Sequence, residues 1–208
     1  MMLSGRYTRY KRWQNDIDKS RRLLGSMKVY FKRMASKGVC PPRKPLKKIL
    51  WSWVGAMVGI LLITVISNLA LPYGVGSALL IGSFGATAVL LYGAPMAEFS
   101  QPRNLLGGHF FSALLGVSIF ILLGEESLFA APLAVSLSIV VMHFTRTLHP
   151  PGGATALIAI IGGESVHNLG YMYAFYPVLV GALLMLLVAL SVNNMSRNPK
   201  RHYPVYWF

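Results

Sequence analysis

Leu148-His149-Pro150-Pro151-Gly152-Gly153-Ala154-Thr155-Ala156-Leu157-Ile158-Ala159-Ile160-Ile161 joins two strongly hydrophobic stretches, and its core occurs earlier as Gly85-Ala86-Thr87-Ala88-Val89-Leu90-Leu91. In a bilayer every backbone polar group needs a partner, so a Pro-Pro-Gly-Gly break is tolerated only where protein or a water-filled cavity surrounds it. A helix start of this kind, used twice, points to a permeation site.

The surrounding composition is that of a membrane protein. Hydrophobic residues make up 54% of the 208, charged residues only 12%, where a soluble domain carries about 25% charge. Apolar stretches cover 49–70, 77–93, 105–123, 132–148, 152–161 and 173–192. A full span takes roughly 17 to 25 residues; four stretches meet that comfortably, 77–93 is marginal and 152–161 is short. No cleavable signal peptide is visible ahead of the first of them, which is expected to act as its own insertion signal. The lone Cys40 excludes an internal disulfide framework and a cysteine-cluster metal site.

Charge placement predicts the topology. Fifteen of the twenty Lys and Arg fall within residues 1–50, and the others are Arg103, Arg146, Arg197, Lys200 and Arg201. The stretches 71–76, 124–131 and 162–172 lack them, and the last two carry Glu125, Glu126 and Glu164. The positive-inside rule then places those three loops outside and both termini in the cytoplasm. The fold class expected is an all-α polytopic membrane protein of about six segments, arranged as two inverted three-segment repeats. Each repeat holds one short or broken Gly-Ala-Thr-Ala helix, and such folds bind substrate near the midplane, with helix N-termini facing anions. A four-span alternative makes the two Gly-Ala-Thr-Ala helices re-entrant, and a plain small-residue packing face also fits the repeat.

Three divisions are expected: a basic amphipathic arm at 1–47, a transmembrane domain at 48–194 and a basic-aromatic cytoplasmic tail at 195–208. In the arm, Tyr10, Trp13, Ile17, Leu24, Met27, Phe31 and Met34 recur at helical spacing among Lys and Arg. Such a helix lies on the membrane and is held to anionic lipid at about 1 kcal/mol per basic residue. Nucleic acid is not expected as a partner, because the arm runs directly into a span. Tyr203, Tyr206, Trp207 and Phe208 read as an interfacial aromatic tail.

Candidate pathway residues cluster at the breaks. Arg146 follows His143 and precedes His149 at near-helical intervals, a winding stripe that ends at Pro150-Pro151. Ionisable groups at membrane depth are costly and usually face an interior, a cavity or an ion path. The amides of Gly152, Gly153 and Ala154 open the next helix and suit an anion; Pro151 fits there because its missing N–H costs nothing. Thr155 adds a hydroxyl, with Thr87, beside Gly85, as its counterpart. Arg103 and Asn104 start the third segment, and His109 lies further in. Other roles suit the same residues: topology for Arg103 and Arg146, interhelical bonding for His143, a helix C-cap for His149, and pairing of Arg103 with Glu98.

The string 149–157 resembles the defining motif of the HPP family of integral membrane proteins. Gly82-Ser83-Phe84-Gly85-Ala86-Thr87-Ala88-Val89-Leu90 and Gln101-Pro102-Arg103-Asn104-Leu105-Leu106-Gly107-Gly108-His109 are similar to its other recurrent blocks. The resemblance covers roughly 48–194. It implies four spans, fewer than the six segments read above, and a transport role, with nitrite transport implicated for relatives in cyanobacteria and plastids.

The expectation is therefore a channel or secondary transporter for a small inorganic anion, nitrite first, in the inner membrane of a bacterial cell. The alternatives are a transporter of another small solute and a non-transporting scaffold. No G-x-S-x-G, H-E-x-x-H or phosphate-loop motif occurs, so no enzyme is expected; nor is a cofactor or metal. Small-residue faces such as Gly55-Ala56 with Gly59 suit a homo-oligomer.

Overall fold

The protein is described as a computed structural model covering residues 27–35, 38–70, 81–195 and 202–208. It divides into two compact units, 1–43 and 44–208. In the first, α1 (Met27–Met34) is the described helix, and its Tyr30, Phe31 and Met34 side chains are exposed. Tyr10, Trp13, Ile17 and Leu24 of the expected amphipathic face lie outside the described residues, as does the stretch 196–201 of the expected tail.

The second unit, as described, is helical. Its elements are α2 (Leu46–Ala70), α3 (Ser83–Ala88) continued by a π-helical turn (Val89–Gly93), a 3-10 turn (Glu98–Ser100), α4 (Pro102–Leu123), α5 (Ala130–Thr145), α6 (Pro150–Ile161), α7 (Glu164–His167), a π-helical segment (Ala174–Leu179) and α8 (Val180–Asn194). Among the described residues three helices are long and apolar enough to cross a membrane: Leu46–Leu69, Pro102–Leu123 and Ala174–Asn194. Three more, Ser83–Gly93, Ala130–Thr145 and Pro150–Ile161, are apolar but shorter. Among the described residues the apolar stretches of the sequence thus appear as three span-length and three shorter helices.

The departures from the hydropathy reading have local causes. The stretch expected to run through 132–148 stops as a helix at Thr145, where Arg146 turns left-handed at φ 58° and ψ 39°. His149 is extended at φ −140° and ψ 104°, because the ring of a following proline excludes the helical region. Pro150 and Pro151 then occupy the first helical positions of α6, where no N–H is required. The expected winding stripe from His143 through Arg146 to His149 is therefore absent: the helix ends before Arg146.

α4 is the central element, packed against α6, α5 and the Ala174–Leu179 segment, while α2 packs against α8. Its contact with α6 is made by small residues. A Cβ on Gly116 would stand 2.8 Å from the Ala156 carbonyl, and one on Gly152 would stand 2.7 Å from the Gly108 carbonyl. Larger apolar groups, including Phe84, Leu91, Tyr92, Leu105, Tyr173 and Met185, fill the core. Leu69, Val89, Leu122 and Phe144 point outward, as membrane-facing positions do.

Buried polar groups tie the short elements down. The Ser100 hydroxyl lies between the Leu90 and Ala94 carbonyls as donor to both, and Asn193 donates to the Leu91 carbonyl. Of the aromatic residues read as an interfacial tail, Trp207 and Phe208 are exposed and Tyr203 and Tyr206 bond to the helices. Tyr203 is buried and donates to the Ser100 carbonyl, the Val205 amide donates to Gln101 Oε1, and Tyr206 donates to Asn104 Oδ1.

Candidate functional site

The short helix α3, the middle of α4 and the first two turns of α6 meet at one buried polar cluster. Each contributes residues at helical spacing: Ser83 and Thr87 from α3, His109 and Ser112 from α4, Thr155 from α6, with His149 just ahead of α6. All six are buried, and five of them, Thr87, His109, Ser112, His149 and Thr155, are fully so.

His109 joins the two Gly-Ala-Thr-Ala helices. Its Nε2 lies 2.8 Å from Thr87 Oγ1 and its Nδ1 lies 2.7 Å from Thr155 Oγ1. The equivalent threonines of the repeated sequence thus grip opposite nitrogens of one imidazole. Thr155 Oγ1 is also 3.0 Å from Ser83 Oγ, and the Tyr173 hydroxyl donates to the Thr155 carbonyl. His149 adds the second ring, its Nε2 3.3 Å from Thr87 Oγ1 and its Nδ1 2.6 Å from the Phe99 carbonyl. The two imidazole centroids are 4.8 Å apart, and Phe84 packs edge-on against His109.

The glycines of the motif permit this approach. A Cβ on Gly108 would collide with the His149 side chain, and one on Gly107 with Thr147. Gly152 lies against Gly108 and Ser112, whereas Gly153 has only Val135 at an ordinary 3.8 Å. Gly85 is exposed, with nothing near its Cα hydrogens. Pro151 is buried and its carbonyl accepts from the Thr155 hydroxyl; Pro150 is exposed.

The cations expected at the site are elsewhere. Arg146 and His143 are exposed. Arg103 donates from Nη2 to the Thr145 carbonyl, which neutralises a free carbonyl at the end of α5, and among the described residues it has no ion pair with Glu98. Asn104 donates to the Leu148 carbonyl and, with Tyr206 bound to its Oδ1, straps the tail to the turn before Pro150. His149 does not cap a helix C-terminus: its ring enters the cluster. The structure therefore brings together Thr87, His109, His149, Pro151, Gly152 and Thr155, and leaves Arg103, Asn104, His143 and Arg146 outside.

Ser83, Ser112 and the Phe99 carbonyl were not singled out from sequence. Ser83 stands four residues before Thr87 and Ser112 three after His109, so each shares a helix face with an identified residue; the Phe99 carbonyl has no sequence signal. Ser112 Oγ is unpartnered. Among the described residues it, Arg103 Nε and Asn193 Oδ1 are the buried side-chain polar atoms without a hydrogen bond. Among the described residues no group of His, Cys, Asp and Glu has the arrangement of a metal site.

A family model described as "HPP, transmembrane region" matches residues 41–204. Two transmembrane proteins of Dictyostelium discoideum are similar: one, DDB_G0273707/DDB_G0273361, is 44% identical over 86% of this chain and 57% of its own length. The other, DDB_G0269096, is 45% identical over 86% of this chain and 63% of its own. The chain thus spans about six-tenths of the length of these relatives. No solved structure matches.

Proposed function

The chain belongs to the HPP transmembrane family, and from that premise we propose that it is a secondary transporter of a small monovalent inorganic anion, with nitrite the first substrate to test. The observation that carries the proposal is the closed cluster of His109, His149, Thr87 and Thr155 on two broken helices. Hydroxyl and imidazole groups without a structural charge to neutralise are expensive at membrane depth, and where they occur they usually serve a substrate or ion path. Full burial suits a carrier in a state shut to both sides better than an open channel.

Within this reading, the two Gly-Ala-Thr-Ala helices are related elements of inverted halves, meeting where such folds bind substrate. Support for it comes from Thr87 and Thr155 holding the same imidazole. Ser112, with its free hydroxyl beside Gly152 at the start of α6, supplies a donor for the anion. The positive-inside assignment places the Phe99 end and both termini on the cytoplasmic face, with the basic arm against anionic lipid. No lysine or arginine joins the cluster among the described residues, an observation that also favours an uncharged polar solute as a second reading.

The test is flux into proteoliposomes, comparing nitrite, nitrate, formate and chloride for the parent, His149→Ala and Arg146→Ala. Saturable nitrite flux that His149→Ala lowers at least tenfold and Arg146→Ala leaves within twofold supports the reading. Absence of flux for all four anions, with protein folded and oriented, would refute it, and uptake of a neutral solute instead would establish the second reading.

A further inference from the structure

We propose that a proton is the co-substrate, passed between His109 and His149 through the Thr87 hydroxyl, so that the carrier moves one proton with each monovalent anion. The inference rests on the anion-transport reading and names its coupling ion.

The hydrogen-bond directions follow from the partners. The Phe99 carbonyl can only accept, so His149 Nδ1 carries a hydrogen and, in the neutral ring, Nε2 carries a lone pair. Thr87, turned from the Ser83 carbonyl 3.1 Å away, then donates to His149 Nε2, and its oxygen accepts from His109 Nε2–H. His109 Nδ1, left with a lone pair, accepts from Thr155, whose hydroxyl turns to it from the Ser83 oxygen 3.0 Å away. Every ring nitrogen is satisfied in this arrangement. With the His109 tautomer reversed, Thr155 turns its proton to Ser83 and Thr87 turns its own to His109 Nε2, which leaves His149 Nε2 without a donor.

A proton transfer starts from the first arrangement and ends with His109 in the reversed tautomer and His149 Nε2 protonated. A proton arriving at Thr155 goes on to His109 Nδ1, and the ring becomes an imidazolium. The His109 Nε2–H bond breaks as a bond to Thr87 oxygen forms, and the former Thr87 proton forms a new bond at His149 Nε2. One proton has entered, one positive charge has moved from one ring to the other, and His109 is neutral again as its other tautomer. The cycle closes when the site opens and His149 Nε2 gives its proton to water on the side where the anion leaves; His109 returns to its Nε2–H tautomer by exchange with that water, and the Thr87 and Thr155 hydroxyls then turn back.

Stoichiometry follows from spacing. Two imidazoliums with centroids 4.8 Å apart repel, which disfavours a second proton by a factor of about 300 at an effective dielectric of about 20. Among the described residues no side chain bonded to the rings carries a charge that offsets it. Around the rings, α3 presents Ser83, Phe84 and Thr87, α6 presents Thr155, and Tyr173 directs its hydroxyl to the Thr155 carbonyl. Met142 sulfur faces the His149 amide and the Phe99 carbonyl faces its ring. Among the described residues no Asp, Glu, Lys or Arg bonds to either ring. A single anion beside one imidazolium makes the closed site neutral, whereas either charge alone would be costly to bury.

The experiment uses the full chain in proteoliposomes holding a pH-sensitive dye, with nitrite uptake and internal acidification recorded together. Protein-free vesicles of the same lipid supply the background from nitrous acid. The expected result is about one proton per nitrite, with a rate that does not respond to a potassium–valinomycin potential. Thr87→Val is expected to lower the coupled flux at least tenfold and Thr87→Ser to restore it to within about threefold of the parent, which separates loss of the hydroxyl from misfolding. Nitrite flux that carries no protons and follows the potential would overturn this inference while leaving the transport reading intact. Equal rates for Thr87→Val and the parent would also overturn it, and absence of flux for nitrite, nitrate, formate and chloride alike would overturn both.

Discussion

Gly152→Ala and Gly153→Ala differ by one position and are expected to change stability in opposite directions. On Gly152 the new Cβ stands 2.7 Å from the Gly108 carbonyl oxygen, 3.0 Å from its carbon and 2.9 Å from Ser112 Oγ. Ordinary contact begins near 3.4 Å, so α4 and α6 must separate by about 0.7 Å, and backbone cannot yield as a flexible side chain does. Overpacking of this size costs about 1–3 kcal/mol. The same separation lengthens the 2.7 Å His109–Thr155 contact one turn further along to roughly 3.4 Å, beyond good hydrogen-bond range, at a further cost of about 1 kcal/mol. Gly153→Ala meets only Val135 at 3.8 Å and gains up to about 1 kcal/mol from lost backbone freedom. Equilibrium unfolding in mixed detergent micelles compares the pair: the expected gap is about 2–5 kcal/mol, with Gly152→Ala the weaker protein. A gap below about 0.5 kcal/mol would refute the close approach of the two helices.

Thr155→Val strands His109 Nδ1 in a fully buried site and is expected to cost about 1–3 kcal/mol by the same unfolding assay, whereas Thr155→Ser, which keeps the hydroxyl, stays within about 1 kcal/mol of the parent. Gly181→Ala drives a methyl into the Phe84 ring; it is expected to destabilise by about 1–3 kcal/mol, and Phe84→Leu in the same chain to recover part of that loss in a double-mutant cycle. Tail docking is expected to depend on alkaline pH. Burial pushes the Tyr203 phenol up from its usual value, with Tyr92 adding to the shift, so the docked tail favours the neutral phenol. Its contribution is fully present below the free phenol value of about 10 and is lost as pH rises through the higher bound value; protease protection of the C-terminus, measured from pH 7 upward, is expected to persist past pH 10. Tyr206→Phe removes the bond to Asn104 and is expected to speed cleavage of the tail at neutral pH several-fold.

The membrane class and the two broken helices were legible because they rest on composition and on backbone chemistry. Proline fixes where α6 starts and forbids a helical His149, and the Gly-Ala-Thr-Ala repeat marks two positions that meet in space. Hydropathy could not end α5, since Thr147 and Leu148 remain compatible with a span; the left-handed turn at Arg146 decides it. The cationic part of the expected site failed for a related reason. Arg103, three residues past the buried Ser100, serves a free carbonyl at the end of α5, and Arg146 lies beyond the helix that was to have aligned it with His149. Charge in a sequence reports cost, which topology and capping can each account for. The cluster depends instead on His109 reaching 46 residues along the chain to Thr155, and on a backbone carbonyl at Phe99, neither of which has a periodicity to read. The tail shows the opposite error: its aromatic residues fit an interface by type, yet Tyr203 is buried by hydrogen bonds to Ser100 and Asn194.

The central claim is that the substrate meets His109 and His149. Nitrogen-15 NMR of imidazole-labelled protein in lipid nanodiscs tests it directly, because the chain has five histidines and each is assignable by substitution to Gln. On titration with nitrite at fixed pH, the His109 and His149 resonances are expected to shift together and saturably, while His143, His167 and His202 stay in place. Shifts confined to the exposed His143 or to His202, with His109 and His149 unmoved at nitrite concentrations that saturate transport, would contradict the account.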